Sequence, residues 1–213
     1  MVVRIFHGLL LLLLLACRPL ADRLPAQWGW ENGVLENLQV LILLAGGAFA
    51  LAICKRDWKS QRALLALVVL PLWAVLVARE LSWGAVFLTP LDITAAGPQF
   101  SSRTLWYKPA IYPLVGLLLA VAGLVAARHR LDRTLRSALA KKHVPWFESF
   151  LIVAAAYVSG CAEGHVRCLI DAMPSQQEVL EELVEVVAYA ALWLAQYRVF
   201  LSPALRENAT PSP

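Results

Sequence analysis

The stretch EVLEELVEVVAYAALWLAQYRVF, Glu178 to Phe200, decides how this chain is read. Its uninterrupted apolar run, Val186 to Ala195, is too short to cross a bilayer. Crossing about 30 Å of hydrocarbon takes roughly 20 mostly apolar residues. A complete span must therefore take in the glutamates that lead the segment: Glu178, Glu181, Glu182 and Glu185. With Arg198 reaching out to one interface, a helix rising about 1.5 Å per residue meets the other near Glu178. Glu182 then lies roughly 6 Å inside and Glu185 roughly 10 Å inside. Glu178, Glu182, Glu185, Tyr189 and Gln196 recur at spacings of three, four and seven, which aligns them as one stripe. A polar stripe on a spanning helix faces protein or a wet cavity rather than lipid.

The rest of the chain agrees with a membrane reading. Of 213 residues, 60% are hydrophobic and 16% charged, and the mean hydropathy is +0.63. Soluble domains carry about a quarter charged residues. Five further apolar segments precede the last: RIFHGLLLLLLLACRPLA, then about 34–54, 63–83, 110–127 and 146–164. The expectation is an all-α polytopic transmembrane bundle of about six spans. Residues 1–203 form one integral membrane domain and 204–213 a disordered polar tail. The first segment also has the basic start and leucine run of a signal peptide. Retention is the favoured reading; cleavage would leave five spans.

The net charge of +4 accompanies no nucleic-acid motif, and its distribution fits the positive-inside rule. Arg4, Lys55, Arg56, Lys59, Arg62, Arg128, Arg130, Arg133, Arg136, Lys141, Lys142, Arg198 and Arg206 fall on one side, Arg18, Arg23, Arg79, Arg103, Lys108 and Arg167 on the other. Both termini are thus expected inside, in the inner (plasma) membrane of a bacterial-type cell. The basic loop 128–143 is read as a topology determinant rather than as a lipid-binding amphipathic helix. The four cysteines form no C-x-x-C pair and are read as small buried hydrophobes. Cys161 and Cys168 would stand about 10 Å apart on a continuous helix, too far for a disulfide unless the chain breaks at Gly164.

Most acids collect opposite the basic side. Asp57, Asp132, Glu148 and Glu207 lie inside, and the other eleven of the 15 lie outside or in the outer half. Acids contribute little to orientation, so their clustering wants another explanation. Depth counting from Arg62, Trp146 and Lys55 puts Glu80, Glu163 and Glu36 about 25–28 Å along their helices, on one outer shelf with Glu182 and Glu185. Arg79 and Arg167 supply cations, with His165 nearby. The candidate cluster is Glu36, Arg79, Glu80, Trp83, Glu163, His165, Glu182, Glu185 and Tyr189.

RELSWG, Arg79 to Gly84, resembles a group of uncharacterised bacterial multi-pass inner-membrane proteins with an E-E-x-S-W-G-Q motif at the outer end of a span. ENGVLENLQVLILLAGG and the glutamate-led last span resemble that group's layout too. Here Arg79 replaces the first Glu and Ala85 the Gln, so no carboxylate pair is available at that point. The resemblance implies membrane location and importance for Glu80, Ser82 and Trp83, and it implies no chemistry.

Four functions fit these residues. The favoured one is packing or accessory: the acids, Arg79, Arg167 and Asn37 make interhelical hydrogen bonds of about 1 kcal/mol each. The second is cation- or proton-coupled transport through Glu80, Glu182 and Glu185. The third is a metal-dependent hydrolase acting on a lipid-like substrate, with Glu80, Glu163, His165, Glu182 and Glu185 holding a divalent cation such as Mg, Ca or Mn. No H-E-x-x-H or G-x-S-x-G motif accompanies that reading. The fourth is a subunit that offers its polar groove to another membrane protein. Expected partners are the lipid bilayer, a second copy or another membrane protein, and not nucleic acid.

Overall fold

The computed structural model describes residues 2–94, 97–138, 144–162, 164, 176–202 and 205. It is an all-α bundle: α1 (Val2–Ala21), α2 (Val34–Arg56), α3 (Gln61–Glu80), α4 (Lys108–Arg128), α5 (Leu131–Ala138), α6 (Trp146–Ala162) and α7 (Gln177–Phe200). Five of these, α1 to α4 and α7, are long and apolar enough to cross a membrane. The 17-residue α6 is apolar but shorter, because the helix ends at Ala162, two residues before the expected limit. The end of the basic loop, 139–143, and most of the polar tail lie outside the described residues.

Local chemistry sets the helix ends. Ser60 caps α3 by accepting from the Ala63 amide at 3.0 Å, satisfying one of the donors a helix start leaves open. Asp57 and Arg62 pair at 2.9 Å across the same turn. Pro109 sits in the first turn of α4, where its missing N–H costs nothing. Arg130, at φ 50°, turns α4 into the short α5. That helix docks Leu131 into the protein, so the basic loop begins as a packed helix.

The last helix is the hub. Half of its most apolar window is buried, against 11% in α1 and in α4. It packs on α6, α2 and α1, while α2 pairs with α3 and α4 leans on α3. Val179, Leu180, Val184 and Val187 of α7 meet Cys17 and Ala21 of α1 and Ala155 of α6. On the other flank, Phe200 joins Leu43, Ala50 and Trp73. Gly46 makes close approach possible, since a Cβ there would lie 2.5 Å from the Trp73 ring.

The expected third span ran to Trp83, but α3 stops at Glu80. Ser82, Trp83 and Gly84 all take left-handed backbone, at φ 45°, 59° and 97°. Left-handed residues cannot continue a right-handed helix, so the motif residues form a turn beyond the span. That turn leads into a two-stranded hairpin, β1 (Asp92–Thr94) and β2 (Gly97–Gln99), which periodicity did not announce.

Candidate functional site

Two polar clusters stand at opposite ends of the bundle. The acidic end holds Glu36, Glu80, Glu182 and Glu185, brought together by α2, α3 and α7. Glu36, in the first turn of α2, accepts from the backbone amide of Asn32. Carboxylates are favoured at that helix position. One turn on, fully buried Gln39 donates to the carboxylate of Glu182 at 2.6 Å and to its backbone oxygen at 3.0 Å. The Gln39 amide oxygen has no hydrogen-bond partner among the described residues. Tyr189 donates to Glu80 at 2.6 Å. Arg79 lies 3.5 Å from Glu185 and 3.8 Å from Glu80, spacings of loose ion pairs.

The acidic stripe of α7 therefore faces α2 and α3. It continues toward the basic end through Gln196, whose amide donates to the Gly46 carbonyl at 2.9 Å and accepts from the Trp73 indole N–H. Glu178 is exposed at the start of the helix. Among the described residues the carboxylates bear on one another. Glu36 feels Glu80, Glu31 and Glu185, and Glu182 feels Glu185, Glu36, Glu181 and Glu80. Beside it lies a cleft of about 330 Å³ lined by Arg79, Glu185 and Tyr189 and by small residues of α6, among them Ala156, Ser159 and Gly160.

Trp83 sits in the turn after α3. Its carbonyl accepts from the Tyr107 hydroxyl at 2.8 Å. Glu31, outside the expected cluster, clamps the same turn: it accepts from Ser82 at 3.3 Å and from the Phe100 amide at 2.6 Å. One carboxylate thus ties the α1–α2 loop to the α3–α4 loop. Asn37, expected to bond between helices, instead closes its own loop on Asn32 and Gly33. Glu163, His165 and Arg167 lie outside the described residues. Among the described residues, no three His, Cys, Asp or Glu side chains converge to hold a metal.

At the basic end, sequence reading passed over a second cluster. Glu148 of α6 is fully buried. It accepts from Arg198 of α7 at 2.6 and 2.8 Å and lies 2.7 Å from the His7 ring of α1. His7 also leans on Phe147, with ring centroids 4.6 Å apart. The signal available was an acid at the start of an apolar segment on the basic side, level with Arg198 when counted along two antiparallel helices.

One cysteine departs from expectation. Cys17 and Cys54 are free, but Cys161 is disulfide-bonded rather than a simple buried thiol. The reason is the break the sequence allowed for: α6 ends at Ala162 and Gly164 adopts φ 75°, so the chain leaves its helical path. Cys168 lies outside the described residues.

A scan against protein-family models found no match, and searches of curated proteins and of solved structures found no similar protein.

Proposed function

We propose that this chain is a small accessory protein of a bacterial-type plasma membrane whose acidic end binds protons or a small monovalent cation. It crosses six times with both termini inside, so that the acidic end faces out. The carrying observation is that glutamates from three helices bear on one another: Glu182 is coupled to Glu185, Glu36 and Glu80, and Arg79 pairs with Glu80 and Glu185. Among the described residues the cluster holds four carboxylates and one guanidinium, and carboxylate charge in a low-dielectric site calls for a proton or cation to offset it. The orphan oxygen of Gln39 adds an acceptor to the same neighbourhood. Two of the five residues of the metal-hydrolase reading, Glu163 and His165, lie outside the described residues.

The positive-inside count supports the orientation. So does the Cys161 disulfide at the acidic end, because disulfides persist in oxidising compartments. The resemblance of RELSWG to a bacterial inner-membrane group supports the location.

The hydrogen bonds of Gln39, Tyr189 and Gln196 favour a second reading, in which the stripe only clasps α7 to α2 and α3. Difference infrared spectroscopy of protein in lipid separates the two. A pH step, or exchange of potassium for sodium, should change carboxyl bands in the wild type, and Glu182→Gln/Glu185→Gln should abolish the change. Bands that stay unchanged in both proteins would refute cation binding and leave the clasp.

A further inference from the structure

The trough along the outer face of α3 goes beyond the glutamate site. Two apolar grooves flank α3, of about 580 and 600 Å³. They share Ala74, Ala78 and Trp83. The small alanines form the floor, and the Trp83 ring stands at the acidic end, where both grooves meet. One wall is α4, through Ile111, Val115 and Leu118. The other is α2, through Leu44, Ala48 and Leu51. Each volume falls within the roughly 300–1,000 Å³ of ligand sites, and both are walled almost wholly by apolar side chains of the spanning helices.

A cation stands one turn before the α4 wall of the groove. Lys108 begins α4 and shares a face with Ile111, Val115 and Leu118, at spacings of three, four and three. It is half-buried and donates to Ser102 at 3.2 Å. Tyr107, one residue before it, lines the same groove. From Lys108 to Val121, at the groove's far end, α4 rises about 20 Å. That matches half of a roughly 30 Å hydrocarbon layer plus part of a headgroup.

We infer that this trough is a binding site for one anionic two-chain phospholipid. One acyl chain lies in each groove, the glycerol forks at Trp83, and the phosphate meets Lys108 and Ser102. A single-chain amphiphile would leave one groove unused. A zwitterionic lipid would gain less from the lysine.

Native mass spectrometry of the intact protein, released from nanodiscs of equal phosphatidylglycerol and phosphatidylcholine, tests this. Wild type should retain one phosphatidylglycerol per chain, with about fivefold preference over phosphatidylcholine from the lysine. Lys108→Gln should abolish the preference, while Lys55→Gln at the other end should keep it. Ala74→Phe, which fills the floor, should lower retention of both lipids. Quenching by brominated phosphatidylglycerol supplies a second readout and should weaken in Trp83→Phe. Equal retention of the two lipids by wild type would overturn the inference, as would retention or quenching indifferent to Ala74→Phe and Trp83→Phe, or a lipid-free dimer.

Discussion

Replacing Arg198 by methionine isolates the basic-end cluster. Glu148 has no exposed surface, and its carboxylate is held by two contacts from Arg198, at 2.6 and 2.8 Å, and one from His7 at 2.7 Å. Removing one partner of a buried ion pair costs about 3–5 kcal/mol, because the remaining charge is stranded. Hydrogen bonds between membrane helices measure lower, about 0.6–2 kcal/mol, because the unfolded chain finds other partners. The burial of Glu148 argues for the upper scale, and its remaining His7 contact tempers it. We expect Arg198→Met to cost about 3 kcal/mol. The reverse loss, Glu148→Leu, should cost about half as much, since Arg198 is 25% exposed and can extend toward water. The decisive variant is the double one. Adding Glu148→Leu to Arg198→Met removes the stranded charge and should restore about 1–2 kcal/mol, since apolar replacement of a buried pair is often neutral. Equilibrium unfolding of the three variants and wild type in mixed micelles reads these differences. A double variant less stable than Arg198→Met alone would refute the buried-pair reasoning.

Three further outcomes follow from single contacts. Gly46→Val should destabilise by about 1–3 kcal/mol, because its Cβ collides with Trp73. Gly47→Ala, whose Cβ meets the same residue at an ordinary 3.5 Å, should be tolerated; thermal unfolding compares the two. Tyr189→Phe should cost about 1 kcal/mol in micelle unfolding through its bond to Glu80. Gly84→Ala should loosen the turn by about 1 kcal/mol, since Gly84 sits at φ 97° and a Cβ would press on the Tyr107 hydroxyl at 2.9 Å. Hydrogen exchange around residues 81–88 should rise in that variant.

The spans were legible because length and hydropathy are one-dimensional properties. Residues 34–54 became Val34–Arg56 and 110–127 became Lys108–Arg128. The α7 stripe was legible because helical spacing fixes which side chains share a face, and turning that face away from lipid needs only the rule that polar residues avoid it. That α2 and α3 would meet it, and what it touches there, were not legible. Gln39 reads as an ordinary amide within an apolar segment until α7 sets Glu182 against it. The α3 boundary was missed because Leu81, Ser82 and Trp83 suit a helix by composition, and only the left-handed turn, held by Glu31 and Tyr107, stops it. His7 and Glu148 are 141 residues apart, and no local pattern joins them.

The position of α7 carries a consequence for biosynthesis. Chains leave the ribosome from the N-terminus, and domains acquire their structure in that order. The hub of this bundle emerges after the other spans. Until it arrives, Gln39, Glu80 and Trp73 wait in the membrane without Glu182, Tyr189 and Gln196, the side chains that satisfy them. Polar groups stranded in hydrocarbon are the kind of defect that quality-control proteases and insertion chaperones recognise. A nascent chain stalled before residue 177 would expose these unpaired groups, and the last helix would then mark the bundle's completion as well as fill its core.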